Sequence, residues 1–186
     1  MWRFISTVVQ VCQAGMVPTG VGTCIDLFPY PNYEGMPPML GLSAVPTDYL
    51  DLLGETWDAE TLCASRGKRL CSWDEWRSAC RGSVQPALVA YLAPDWSKVD
   101  KRDGLELWRL NQYPSALEHP ETTGWSGARM MTASQEWIRY PGGVGGYAFS
   151  RGFWSREGEC DSITVGHDPR YADYATSARC CFGAQT

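Results

Sequence analysis

Apolar positions along this chain follow two different periods. Ile5, Thr7, Val9 and Val11 alternate with Ser6, Val8 and Gln10, a period of two rich in β-branched residues. That pattern predicts a strand over 3–11. Similar short runs predict strands over 23–28, 136–140, 147–154 and 178–182. Around Trp73, Trp76, Ala79 and Cys80 the period lengthens to that of a helix with one apolar face. Ser72 and Glu75 form a capping box at its start, in which Ser72 bonds the third helical amide and Glu75 reaches back to the cap amide. Arg81 sits in the last turn, and Gly82 supplies a left-handed stop. A preceding helix is expected over 57–66, with Thr56 as its cap, Asp58 and Glu60 in its first turn, and Gly67 at its end. Leu62 and Cys63 face inward there with Trp57 or Ala59. Both periods fade elsewhere. Residues 29–47 hold Pro29, Pro31, Pro37, Pro38 and Pro46 and must be irregular. Residues 82–127 are mostly loop, and loops of such length are functional or held by crosslinks. Gly142 to Gly146 reads as a flexible connection between two strands.

Composition narrows the class. The 186 residues are 44% hydrophobic and 20% charged, too apolar for a disordered chain. The length suits one domain. No apolar run is long enough for a membrane helix, and a net charge of −5 leaves no footprint for nucleic acid. The unusual features are 8 cysteines and 9 tryptophans. The opening residues do not read as a secretory signal, because Ser6, Thr7 and Gln10 interrupt the apolar run. Cysteine-rich chains without such a signal usually bind metal or do redox chemistry. No CxxC pair occurs, so zinc-ribbon and thioredoxin readings fail. The remaining resolution is a protein released by lysis or inside a particle, which oxidises afterwards. Structural disulfides are then the main expectation. Eight cysteines permit 105 connectivities, and spacing alone selects none. Adjacent Cys180 and Cys181 point to opposite faces of a strand and so need different partners.

Several segments, in order, carry a further signal. These are Cys24-Ile25-Asp26, Tyr30-Pro31-Asn32, Leu62-Cys63, and the stretch Gly67-Lys68-Arg69-Leu70-Cys71-Ser72 continuing through Glu75-Trp76 and Ala79-Cys80-Arg81-Gly82. Gln135-Glu136-Trp137, Arg151-Gly152-Phe153-Trp154 and Arg179-Cys180-Cys181 follow. Together they resemble the formylglycine-generating enzyme (sulfatase-modifying factor) family across residues 23–182. The resemblance implies an α+β, C-type-lectin-like fold: two short helices around a small twisted antiparallel sheet, loop-rich and disulfide-stabilised. The domain would occupy 23–186, with 1–22 as an N-terminal strand or extension. It also implies the pairs Cys63–Cys180 and Cys80–Cys160. Cys12, Cys24, Cys71 and Cys181 stay unassigned, with Cys24, Cys71 and Cys181 as disulfide candidates.

The family's chemistry does not carry over with its frame. Its oxidase members use two cysteines, five residues apart, as a soft site for Cu(I). The corresponding positions here are Arg156 and Asp161, with Cys160 the only thiol nearby. A second branch binds iron through three histidines, and this chain has only His119 and His167. The family's calcium box retains Glu136 but has Ala133 where a side-chain oxygen is needed, so Glu136 is a weak calcium candidate and no cofactor is expected. Asp26 and Arg179 are expected in internal polar contacts rather than as a catalytic pair.

What remains is a scaffold whose loops carry function. Aromatic residues in loop-like segments are the binding-surface candidates: Trp96, Trp108, Tyr113, Trp125, Tyr147, Tyr171 and Tyr174, with Tyr140 beside them. Trp73, Trp76, Trp137 and Trp154 read as core. The expectation is a non-catalytic module of a bacteriophage virion, in the tail, a fibre or a capsid decoration, within an oligomeric assembly. Its partners would be other virion proteins, or a protein or glycan of the host surface. The alternatives are a copper-dependent oxidase of the formylglycine-generating type and a retroelement-diversified ligand-binding protein whose variable surface is 147–182.

Overall fold

The computed structural model describes residues 11–33, 38–47, 57–82, 128, 134–150, 160–173 and 176–184. They form an α+β chain with two four-stranded sheets. The first sheet contains β1 (Met16–Pro18), β2 (Cys24–Asp26), β3 (Arg69–Leu70) and β8 (Cys180–Phe182) in the order β1-β2-β8-β3, antiparallel throughout. The second contains β4 (Gln135–Arg139), β5 (Tyr147–Ser150), β6 (Ile163–Thr164) and β7 (Thr176–Ala178) in the order β6-β5-β4-β7. Its β4–β7 pair is parallel. The expectation of one antiparallel sheet is therefore corrected to two sheets, one of them mixed. The physical cause lies at Arg179. The run expected as one strand over 178–182 breaks there, because Arg179 turns a charged side chain into the interior and the chain crosses from one sheet to the other.

Two helices cover the sheets. Helix α1 (Ala59–Ala64) begins later than the pattern suggests, and its cap is Asp58 rather than Thr56. Asp58 is extended and held by a bridge to Ser43, and its carboxylate accepts from the Thr61 amide at 2.8 Å. Ala59 is fully buried, whereas Trp57 is 38% exposed. Gly67, at φ +67°, lets the chain reverse after the helix. Helix α2 (Trp73–Gly82) has the expected capping box: Glu75 accepts from the Ser72 amide at 2.8 Å. Gly82 is still helical rather than a left-handed stop.

Alternation along the strands sends neighbouring residues to two separate cores. Trp137, Phe149 and Leu70 pack with Ala59 and Leu62 of α1. Their neighbours Ile138, Ala148 and Cys71 pack with Trp76, Ala79 and Cys80 of α2. One helix thus lies against each apolar cluster.

Four disulfides join these parts: Cys12–Cys24, Cys63–Cys180, Cys71–Cys181 and Cys80–Cys160. Cys180 and Cys181 do take different partners, one on α1 and one just after β3. Residues before 23, set apart by the sequence reading, are tied to the rest by the Cys12–Cys24 bond and by the β1–β2 pairing. The strand expected over 3–11 lies almost wholly outside the described residues. The glycine run 142–146 forms a hydrogen-bonded turn rather than a slack connection. Tyr140 donates to the Gly146 carbonyl at 2.8 Å, and a side chain on Gly143 would collide with the Tyr147 carbonyl.

Candidate functional site

The interior polar groups are spent on the frame. Arg179 is wholly buried. Its Nε and Nη2 donate to the two carboxylate oxygens of Glu136 at 3.1 and 3.0 Å. Its Nη1 donates to the carbonyls of Asp26 and Leu27, both at 2.9 Å. The Trp76 indole donates to the same Glu136 at 2.7 Å. A fork-to-fork pair with its remaining acceptors and donors filled is the arrangement that makes a buried charge tolerable. A hard cation at Glu136 would have to displace the guanidinium already seated there. Among the described residues no group of three or more His, Cys, Asp or Glu side chains is placed to hold a metal ion.

Two further pairs brace the frame. Lys68 Nζ lies 2.5 Å from Asp26 Oδ1, while Asp26 Oδ2 is buried with no hydrogen bond. Burial pushes the Asp26 carboxyl above its ordinary range, outweighing the pull of Lys68. Glu75 behaves oppositely. Burial would raise it, but the bidentate Arg69 guanidinium, at 2.7 and 2.6 Å, and the Ser72 contacts hold it at about 2. Lys68 and Arg69 are thus structural; Arg69 also reaches the Gly183 carbonyl at 3.0 Å.

The surface beside α2 is organised differently. A groove of about 730 Å³ runs along the outer face of this helix, which contributes Trp73, Asp74, Arg77, Ser78 and Arg81. Arg139 at the end of β4, Tyr140 and Pro141 just after it, and Val21 and Thr23 before β2 also line it. Trp73, read as core from its helical spacing, is half-buried: it packs against the cluster around Trp76 and also lines the groove. It stacks on Trp76 with ring centres 5.9 Å apart, and the Arg77 guanidinium lies 5.9 Å from its ring centre. Arg77 and Arg81 together grip the exposed Asp161, with Arg81 Nη2 at 2.6 Å. Those hydrogen bonds, Arg81 first, hold the Asp161 carboxyl below its usual range. Arg139 binds Glu60 at 2.6 and 2.8 Å, which raises its own affinity for the proton. Asp74 is exposed.

Of the sequence-derived surface residues, Tyr140 lines this groove, whereas Tyr147 and Tyr171 are not among its lining residues. Tyr147 is half-buried and donates to Glu60 at 3.1 Å; burial, then Glu60, push its phenol up. Tyr171 is 38% exposed, leans on His167 with centroids 4.5 Å apart, and donates to Asp173 at 3.0 Å. Trp96, Trp108, Tyr113, Trp125 and Tyr174 lie outside the described residues, as do Trp154, Arg156 and His119. The groove's own aromatics are Trp73 and Tyr140. One signal for Trp73 was present: residue 73 is the first of its helix, where a side chain that leans toward the N-terminus has no preceding turn to cover.

Set against family models, curated proteins and solved structures, the chain matches none.

Proposed function

We propose that the chain is a non-catalytic binding and structural module of C-type-lectin-like fold, a degenerate relative of the formylglycine-generating enzyme family. We place it on a bacteriophage virion, as a tail, fibre or capsid-decoration component that mediates attachment to other virion proteins or to the host surface. One observation carries the reading: all eight cysteines are consumed in four disulfides. A thiol that is oxidised to a disulfide cannot serve as a thiolate ligand for Cu(I), so the family's oxidase chemistry has no pair of sulfurs to work with. Disulfides also persist outside the reducing cytosol, which suits a chain that works on the exterior of a released particle. The buried charges support the same reading, because Glu136, Arg179 and Asp26 face one another or the frame, and Glu75, which borders the groove, is held by Arg69 and Ser72.

The test is fractionation of a lysed producing culture on a density gradient, with the chain followed by mass spectrometry. The reading expects the chain to band with intact particles and to survive washing. A chain that stays in the soluble extract and converts a cysteine peptide with copper and oxygen overturns it.

A further inference from the structure

The groove beside α2 has a chemistry narrow enough to name its ligand, granted that the chain is a binding module. Its lining carries three cations, Arg77, Arg81 and Arg139, and two carboxylates, Asp74 and Glu75, while Arg69, Glu60 and Asp161 pair with these charges from outside the lining. The local charge balances. An acidic peptide or polyanion would meet Asp74 on the same helix face, and a basic one would meet three guanidinium groups within the walls. A ligand that both donates to Asp74 and accepts from Arg77, Arg81 or Arg139 satisfies the groove without a charge penalty. Hydroxyl groups do both. Trp73 and Tyr140 add apolar surface suited to a flat C–H face, and Trp73 is fixed in advance by Trp76 and Arg77. Its volume of about 730 Å³ lies within the roughly 300–1,000 Å³ of clefts that hold a drug-sized ligand, room for part of a short oligosaccharide.

We propose that this groove binds a neutral saccharide without a metal ion, with Trp73 as platform, Asp74 as hydroxyl acceptor and Arg77 and Arg139 as hydroxyl donors. This rests on the binding-module reading above.

The experiment is calorimetric titration of the full chain with neutral hexasaccharides of glucose, mannose, N-acetylglucosamine and xylose, in the presence of EDTA, beside hexaglutamate and a sulfated hexasaccharide. At least one neutral hexasaccharide is expected to bind, and Trp73→Ala and Asp74→Ala each weaken it at least tenfold. Trp73→Ala also touches Trp76, so a melting curve accompanies both variants; Asp74 is exposed, and its variant alone decides if the other unfolds. Absence of binding by all four neutral sugars overturns the proposal. So does binding of hexaglutamate or the sulfated sugar alone, or binding that survives Asp74→Ala in a folded protein. If the sugars fail while the chain still bands with particles, this inference falls and the proposed function stands.

Discussion

Two arginine–carboxylate assemblies in this molecule use the same chemistry for opposite ends. At the centre, Arg179 and Glu136 are entirely buried and joined at two points, with Trp76 donating to Glu136 and the Asp26 and Leu27 carbonyls accepting from Arg179. On the surface, Arg77 and Arg81 share the single carboxylate of Asp161, and all three side chains are more than a third exposed. The buried assembly determines where the chain crosses between its sheets. The exposed one shapes a wall of the groove and leaves polar capacity for something else. Burial, more than the identity of the pair, separates the structural role from the surface one.

That difference is open to attack in order of expected effect. Arg179→Met keeps much of the side-chain volume but strands the Glu136 carboxylate and two carbonyls. It should cost about 3–5 kcal/mol of stability, read as a lower denaturant midpoint, and a change under 1 kcal/mol would break the comparison. Cys63→Ala combined with Cys180→Ala should cost less than the 117-residue separation suggests. The neighbouring Cys71–Cys181 bond still closes the long loop, so the pair removes only a loop of about ten residues, worth on the order of 2.5 kcal/mol in chain entropy. Removing both disulfides together should cost on the order of 6 kcal/mol, somewhat more than twice either single effect, because the surviving Cys80–Cys160 bond shortens the long loop to about thirty residues.

Acid should find Glu75 next. Its folded pKa of about 2 lies below the ordinary carboxyl value of 4.5. The stabilisation is therefore complete above pH 4.5 and is lost as pH falls from there toward 2. With solvent screening, it amounts to on the order of 2 kcal/mol. Glu75→Gln should flatten that acid limb in a pH series of denaturation curves, and an unchanged limb would contradict the assignment. Asp161→Ala is the smallest case. Its carboxyl is fully solvated, so the midpoint should not move in the same assay. A large loss there would make the exposed pair structural after all and erase the contrast with Arg179.

The parts legible in the sequence are those fixed by near neighbours. Ser72 and Glu75 are three residues apart, so the capping box can be read from spacing, and the strand period places Cys180 and Cys181 on opposite faces. The Cys63–Cys180 and Cys80–Cys160 pairs followed from the family resemblance rather than from spacing. What escaped was set by distant partners. Nothing near residue 179 marks it as the point where one strand becomes two, because Glu136 and the Asp26 carbonyl lie more than 40 residues away in the chain. Asp58 displaced Thr56 as cap through a bridge to Ser43 that no local pattern shows. Trp73 has the helical spacing of a core residue, yet its place at the first turn leaves it on the groove. Tyr147 looked like surface for the converse reason, and its hydroxyl is committed to Glu60.

The central claim is that this chain spends its sulfur and its buried charge on the frame and keeps its surface for binding. Non-reducing peptide mapping of the protein from its native source, with free thiols alkylated under denaturing conditions, tests it most directly. The account predicts no alkylated cysteine and linked peptides for Cys12–Cys24, Cys63–Cys180, Cys71–Cys181 and Cys80–Cys160. Two alkylated cysteines in the folded, native-source protein would contradict it and return the thiol chemistry of the oxidases to consideration.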